Sequence, residues 1–200
     1  MKKPILEHFK RVDTTLYNAA LKSTKKIQLT KSNNYFASLC ESIISQQLSV
    51  KVGDVIYDRF KALVRNEVTP ENVMQLTVEK IRSIGASQAK GKYILDLATK
   101  VHEKEVHLAS LEKMTDQGVV DELTKVKGIG PWTAEMFLMF SLCREDLFST
   151  GDLGLKRAIE KLYKLEDPTP EKLLEISSKW KPYRTYACRI LWNSLDNTPQ

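Results

Sequence analysis

The sequence contains little cysteine, and its three cysteines are far apart. No two of Cys40, Cys143 and Cys188 have the spacing of metal ligands, and their odd number argues against a disulfide framework. An iron–sulfur centre is excluded, because it needs a cluster of cysteines. We therefore expect three buried thiols in a reducing compartment.

Long apolar runs are also missing. No stretch approaches the length of a transmembrane helix. Residues 1–13 begin with basic side chains but lack the apolar core of a signal peptide. We expect a soluble intracellular protein, in the cytoplasm and nucleoid or in a nucleus, with no membrane partner.

The alternating pattern of β-strands is absent, as are internal repeats and low-complexity tracts. Apolar residues recur at helical spacing in almost every segment, which predicts an all-α fold of roughly ten helices. The pattern predicts one amphipathic helix over residues 5–22 and a later helix with Val52 and Val55 on its inner face.

Acidic residues are outnumbered by basic ones, and the formal net charge is +6. A basic balance favours an anionic partner, such as a nucleic acid or a membrane surface, and says nothing about the fold.

A glycine-containing turn, Lys127-Gly128-Ile129-Gly130, joins two helical segments. Its glycines allow positive φ and let another backbone come close, and Pro131 suits the first position of the next helix. The free amides of that helix start can bind one phosphate, to which Thr133 can add its hydroxyl. A tight corner between two helices explains the glycines equally well.

A second turn, Ile84-Gly85-Ala86-Ser87, precedes another helix that Ser87 can cap. The helix start can also hold an anion, and Lys90 would add positive charge there. An ordinary glycine-containing turn remains the alternative.

Two motifs around the first turn, KVKGIGPWTAEMF and FSTGDLGLKRAI, resemble those of the helix-hairpin-helix DNA glycosylase superfamily. Within it, the chain is most similar to the 3-methyladenine DNA glycosylases of the inducible bacterial and yeast type. The likeness extends from about residue 33 to about residue 193 and includes IISQQLSVKVG and WKPYRTYACRILW. It implies one glycosylase unit of two helical lobes with a cleft between them, the middle lobe from about residue 45 to 145 and the other from residues 1–44 and 146–200.

The resemblance implies that Asp152 is the catalytic aspartate. In such enzymes a fixed carboxylate stabilises the positive charge that develops on the sugar as the base leaves, and it can orient the attacking water. Asp152 also suits the cap of the following helix, and the two roles are compatible because a helix N-terminus favours the ionised carboxylate.

The resemblance also implies the residues of a base pocket. Trp132 occupies the position where bifunctional members carry a Schiff-base lysine, so a monofunctional enzyme is expected. Trp132 and Trp192 would face a cationic alkylated base, which an aromatic ring attracts, although core packing also explains each tryptophan. Met136 and Leu153 occupy positions where some relatives have aromatic residues.

The remaining implied residues contact DNA or an ion. Gln47 or Leu48 would fill the gap that a flipped base leaves. Other implied DNA contacts are Gly85, Ser87, Lys127, Gly128, Gly130 and Thr133. No cofactor is required, but the carbonyls of Thr124, Val126 and Ile129 are those that would hold a structural Na⁺ or K⁺.

The expected function is therefore a monofunctional DNA glycosylase of base excision repair, acting as a monomer on double-stranded DNA that contains alkylated bases. It would hydrolyse the N-glycosidic bond of flipped alkylated purines, of the 3-methyladenine or 7-methylguanine type, and leave an abasic site. The alternatives are a non-catalytic helix-hairpin-helix module, a glycosylase for another lesion, and an unrelated helical protein with a glycine corner.

Overall fold

The computed structural model describes residues 1–23 and 26–196, and every regular element within these ranges is a helix. This confirms the predicted all-α fold. The α-helices, in chain order, are α1 (Lys3–Val12), α2 (Thr14–Lys22), α3 (Tyr35–Ser45), α4 (Val50–Leu63), α5 (Pro70–Met74), α6 (Val78–Arg82), α7 (Gln88–His102), α8 (Asp116–Leu123), α9 (Pro131–Phe140), α10 (Leu153–Tyr163), α11 (Pro170–Ser178) and α12 (Arg184–Asp196). A 3₁₀ helix covers Leu108–Lys113, where the sequence gives no clear signal.

The chain forms two compact units. The split unit combines residues 1–30 with the chain from residue 143 onward, and the continuous unit consists of residues 31–142. Residues 31–44, which were expected in the other lobe, belong to the continuous unit. In the structure α3 packs on α4, α7 and α9 of the continuous unit, because its apolar stripe of Phe36, Leu39 and Ile43 is buried there.

The split unit contains a sharp break where one long helix was predicted. Asp13 lies between α1 and α2 and has an extended backbone. Its Oδ1 caps α2 by accepting the N–H of Leu16 at 3.0 Å. Its Oδ2 accepts hydrogen bonds from the Tyr163 hydroxyl at 2.7 Å and from Trp180 Nε1 at 2.9 Å. The prediction of a single helix over residues 5–22 is therefore wrong, because a buried aspartate with distant partners interrupts it.

In the continuous unit, the inner face of α4 differs from the predicted one. Its buried residues are Gly53, Ile56 and Phe60, whereas Val52 and Val55 are exposed. A Cβ at Gly53 would lie 2.8 Å from Ser45 Oγ, so α4 approaches the end of α3 through its glycine. Since successive helical residues are about 100° apart, a face centred on Gly53 turns both valines outward.

The cysteines differ in burial. Cys40 and Cys188 are buried, but Cys143 is partly exposed, which corrects the expectation of three buried thiols. Burial raises the pKa of the Cys40 and Cys188 thiols, and the charge of Asp152 raises that of Cys188 further. Both buried thiols are therefore protonated at neutral pH and do not act as nucleophiles.

Candidate functional site

Asp152 begins α10 in the split unit. Its Oδ1 accepts the N–H of Leu155 at 2.7 Å, so the carboxylate caps the helix as the sequence predicts. The residue is only 6% exposed.

Trp192 of α12 makes a contact that the sequence did not indicate. Its Nε1–H donates to the same Oδ1 of Asp152 at 3.0 Å. Gly154 provides the space, since a Cβ there would lie 3.1 Å from that oxygen and 3.2 Å from two atoms of the indole. One carboxylate oxygen is thus held by two N–H donors, which fixes its position.

Leu153 follows Asp152 directly and is 67% exposed. Asp152, Leu153 and Trp192 therefore lie together in the split unit. The partnership of Trp192 with Asp152 was missed because the two residues are 40 positions apart and no local pattern joins them.

The hairpin between α8 and α9 belongs to the continuous unit. Gly128 has a φ of +85°, and a Cβ built on it would lie 2.1 Å from Cδ2 of Tyr93 in α7. Only glycine fits this backbone and this approach of the ring. Pro131 occupies the first position of α9 after Gly130, as predicted.

Asp96 of α7 also supports the hairpin. Its Oδ2 accepts the backbone N–H of Lys127 at 2.9 Å and lies 3.2 Å from the ammonium group of Lys100. Tyr93 and Asp96, one helical turn apart, thus shape the turn from the same face of α7. Sequence reasoning did not identify either residue, since neither is close to the hairpin in the chain.

Trp132 is the second residue of α9 and is 47% exposed. Met136, one turn further along, and Phe140, two turns along, line a groove of about 370 Å³ within the continuous unit. Serines of α3, among them Ser38 and Ser42, also line this groove, together with Glu41. The groove thus combines apolar groups with hydroxyl and carboxylate oxygens.

Thr133, which was expected to add its hydroxyl to a phosphate site, is buried. It is only 5% exposed, and its Oγ1 lies 3.4 Å from Nε2 of Gln46. The hydroxyl therefore faces the protein interior, because the third position of α9 turns toward the end of α3. Its predicted contact with a phosphate is corrected accordingly.

The turn after α3 exposes Gln47 and Leu48. Gln47 has a φ of +57°, which is unusual for a residue other than glycine.

At the second predicted turn, Gly85 has a φ of +103°, and Ser87 caps α7 by accepting the N–H of Lys90 at 3.3 Å. The cap is confirmed, and contacts of these residues with DNA remain predictions.

The Lys90 side chain is not directed at an anion beside this helix start. Its ammonium group donates to the backbone carbonyls of Ile44 and Gln46 instead. Its charge contribution at the turn stays a prediction.

The carbonyls predicted to hold a monovalent ion come from the hairpin and the residues just before it. The carbonyl of Val126 accepts the N–H of Ile129 at 3.1 Å, and the hydroxyl of Thr124 donates to Val120. A carbonyl oxygen has two lone pairs, so that of Val126 can also contact a cation. Oxygen donors suit hard cations, and the ion remains a prediction.

Comparison with known proteins matches residues 40–182 to the family described as "HhH-GPD superfamily base excision DNA repair protein". The chain belongs to this superfamily. The putative DNA-3-methyladenine glycosylase YfjP of Bacillus subtilis is 30% identical over 96% of the chain and 69% of that protein.

Solved structures of other superfamily members share the fold. A DNA-3-methyladenine glycosidase from Bacillus halodurans superposes with a TM-score of 0.83 at 36% identity, over 98% of this chain and 91% of that one. The Schizosaccharomyces pombe 3-methyladenine DNA glycosylase Mag1, in complex with abasic DNA, gives a TM-score of 0.78 at 27% identity, over 95% of both chains. The resemblance deduced from the sequence motifs is confirmed.

Membership does not by itself assign the residues of a site. In this chain, Asp152 and Trp192 belong to the split unit, and Trp132, Met136 and the hairpin belong to the continuous unit.

Among residues 1–23 and 26–196, no helix is long and apolar enough to cross a membrane.

Proposed function

We propose that this protein is a monofunctional DNA glycosylase that hydrolyses the N-glycosidic bond of alkylated purines in duplex DNA. Its substrates are flipped bases of the 3-methyladenine and 7-methylguanine type, and its product is an abasic site. The proposal follows the relatives whose names include DNA-3-methyladenine glycosylase, in Bacillus subtilis and in yeasts.

The observation that carries the proposal is the environment of Asp152. Its carboxylate is almost fully buried at a helix start, and one oxygen accepts two N–H groups. Positive charge develops on the deoxyribose as the base departs, and a carboxylate that is already fixed stabilises this charge without reorganisation. The same group can orient the water that attacks the sugar.

The residues of α9 support a hydrolytic rather than a lyase reaction. Trp132 occupies the position at which the resemblance would place a Schiff-base lysine, and an indole forms no imine. Its exposed ring suits a base that carries positive charge, since a cation is attracted to an aromatic face. The neighbouring groove with Met136, Phe140 and Glu41 offers apolar, polarisable and anionic contacts to such a base.

The continuous unit supplies the contacts with the duplex in this proposal. Lys127, Gly128 and Gly130 bind one phosphate at the start of α9, and Gly85 and Ser87 bind another at the start of α7. Gln47 or Leu48 fills the gap that the flipped base leaves. The backbone oxygens of Thr124, Val126 and Ile129 hold a monovalent cation, which neutralises phosphate charge when it is bound.

The test is base release from methylated duplex DNA by the wild type and by Asp152→Asn. Asparagine caps a helix about as well as aspartate, so the variant should fold. We expect a rate at least about one hundredfold lower, because the charge that stabilises the sugar is lost. Strands treated with the wild type should break only after alkali, as expected for an abasic product.

The matched control is Asp58→Asn, which neutralises an exposed carboxylate paired with Lys61 at 2.8 Å. It should release bases at the wild-type rate. Equal rates for wild type and Asp152→Asn would refute the catalytic role of Asp152. Duplex binding without release of any base would indicate a non-catalytic module, and release from uracil or oxidised-base duplexes alone would indicate a glycosylase for another lesion.

A further inference from the structure

The turn that carries Gln47 and Leu48 is held by a lysine from another helix. Lys90 Nζ of α7 donates to the carbonyl of Ile44 at 2.8 Å and to that of Gln46 at 2.7 Å. The last carbonyls of a helix have no partner within it, so the lysine satisfies groups that α3 leaves open. Burial lowers the pKa of Lys90, in keeping with a side chain turned into the protein.

Gln46 connects the same turn to the hairpin. Its Nε2 donates to the carbonyl of Gly128 at 2.8 Å. The carbonyl of Gln46 is bound by Lys90, while its side chain is bound by the hairpin backbone. The residue directly before the exposed tip is thus fixed at both its backbone and its side chain.

The tip itself has a conformation that needs such support. Gln47 has a φ of +57°, and the N–H of Leu48 donates to the carbonyl of Ser45 at 3.1 Å. A left-handed backbone costs about 1 to 2 kcal/mol for a residue with a side chain. Such a conformation persists only where the surrounding structure enforces it.

We propose that Lys90 and Gln46 are positioning residues that hold the Gln47-Leu48 tip ready to enter a gap in duplex DNA. The inference rests on the proposed function, in which this tip replaces a flipped base. Filling the gap must offset a few kcal/mol of unstacking. Ordering two flexible residues during insertion would cost roughly a further 2 to 4 kcal/mol, and a tip that is already shaped avoids this loss.

The experiment measures binding rather than catalysis. Two duplexes are compared that both carry 2-aminopurine at one position and differ only opposite it, where one has thymine and the other a tetrahydrofuran abasic analogue. The preference of the protein for the abasic duplex over the intact one, given by the ratio of the two Kd values, reports insertion of the tip. We expect Lys90→Met and Gln46→Met each to lower this preference about tenfold, while affinity for the intact duplex stays within about twofold of wild type.

Lys113→Met is the matched control, since it removes an exposed lysine from the 3₁₀ helix of the same unit. It should leave the preference unchanged. Circular dichroism and the thermal midpoint establish that each variant is folded, and Gln46→Met provides a test that does not remove the partly buried charge of Lys90.

Three results would overturn the inference. One is an unchanged preference in both variants, and another is a wild type that does not distinguish the two duplexes. The third is an equal loss of affinity for both duplexes in Lys90→Met with a salt slope smaller by about one, because that marks a phosphate contact. Base release by the wild type is measured separately, so a failure of the proposed function is seen independently of the tip.

Discussion

At the scale of single residues, Asp152 differs from a surface carboxylate in how closely one of its oxygens is held. The N–H groups of Leu155 and Trp192 both donate to Oδ1, and Gly154 leaves room for the indole. A donor that fixes a reacting group affects the transition state more than it affects binding of the DNA. Trp192 should therefore contribute mainly to the rate.

Trp192→Phe tests this contribution, because it keeps an aromatic ring and removes the N–H. A hydrogen bond to a charged group contributes about 1.5 to 3 kcal/mol, so we expect base release to slow about tenfold or more. Affinity for a duplex with an abasic analogue should stay close to that of the wild type. Single-turnover rates and equilibrium binding measure the two quantities separately.

Trp192→Leu is the companion variant, since it removes both the ring and the N–H. If Trp192→Phe retained the wild-type rate while Trp192→Leu lost it, the ring alone would matter, as expected for a residue that only lines a base pocket. Equal losses in the two variants would assign the effect to the N–H.

At the scale of structural elements, the hairpin between α8 and α9 is shaped by α7. The ring of Tyr93 covers Gly128, and Asp96 accepts the N–H of Lys127. The other glycine of the turn is under no such constraint, because nothing lies within 4 Å of a Cβ built on Gly130. The two glycines should therefore respond differently to the same substitution.

Gly128→Ala should lower the free energy of unfolding by about 2 to 4 kcal/mol, since it combines a left-handed backbone with overpacking against the ring. Gly130→Ala, with a φ of −93°, should change it by less than about 1 kcal/mol. Urea unfolding followed by circular dichroism measures both. A destabilisation of similar size in the two variants would contradict the argument from close approach.

The same elements show which features the sequence could predict. The hairpin, the proline at the start of α9 and the cap at Asp152 were predictable, because each depends on residues within a few positions of one another. The break at Asp13 was not, since its partners Tyr163 and Trp180 are about 150 positions or more away. The exposure of Val52 and Val55 was missed for a related reason, because the glycine of α4 rather than its valines meets α3.

At the scale of the whole molecule, each unit contains a carboxylate whose pKa is lowered. Burial works to raise the pKa of Glu122, but hydrogen bonds from Lys125 and from the His107 backbone lower it below its ordinary value. Burial likewise opposes the lowering of the Asp146 pKa, which the guanidinium of Arg184 brings about. Because the unfolded chain takes up these protons at higher pH than the folded one, acid should destabilise both units.

Glu122→Gln tests the sign of this effect. Ionised Glu122 stabilises the fold above its ordinary pKa of 4.5, and this contribution is lost as the pH falls through the lowered value. We expect the variant to be less stable than wild type by about 1 to 3 kcal/mol near neutral pH, and this difference to shrink below about pH 4. Urea titrations across that range measure it, and a difference independent of pH would refute the assignment.

The division of the split unit has a consequence for how the protein is made on the ribosome. Residues 31–142 are synthesised as one uninterrupted segment, so their unit can fold as soon as it emerges. The helices before it must wait, because the Asp13 carboxylate finds Tyr163 and Trp180 only after most of the chain has been translated. At about 5 to 20 residues per second, translation of residues 143–192, which complete the surroundings of Asp152, takes roughly 3 to 10 seconds. During that interval a nascent chain would hold the residues proposed to bind DNA without the completed surroundings of Asp152, so the unit proposed for binding is complete before the site proposed for hydrolysis.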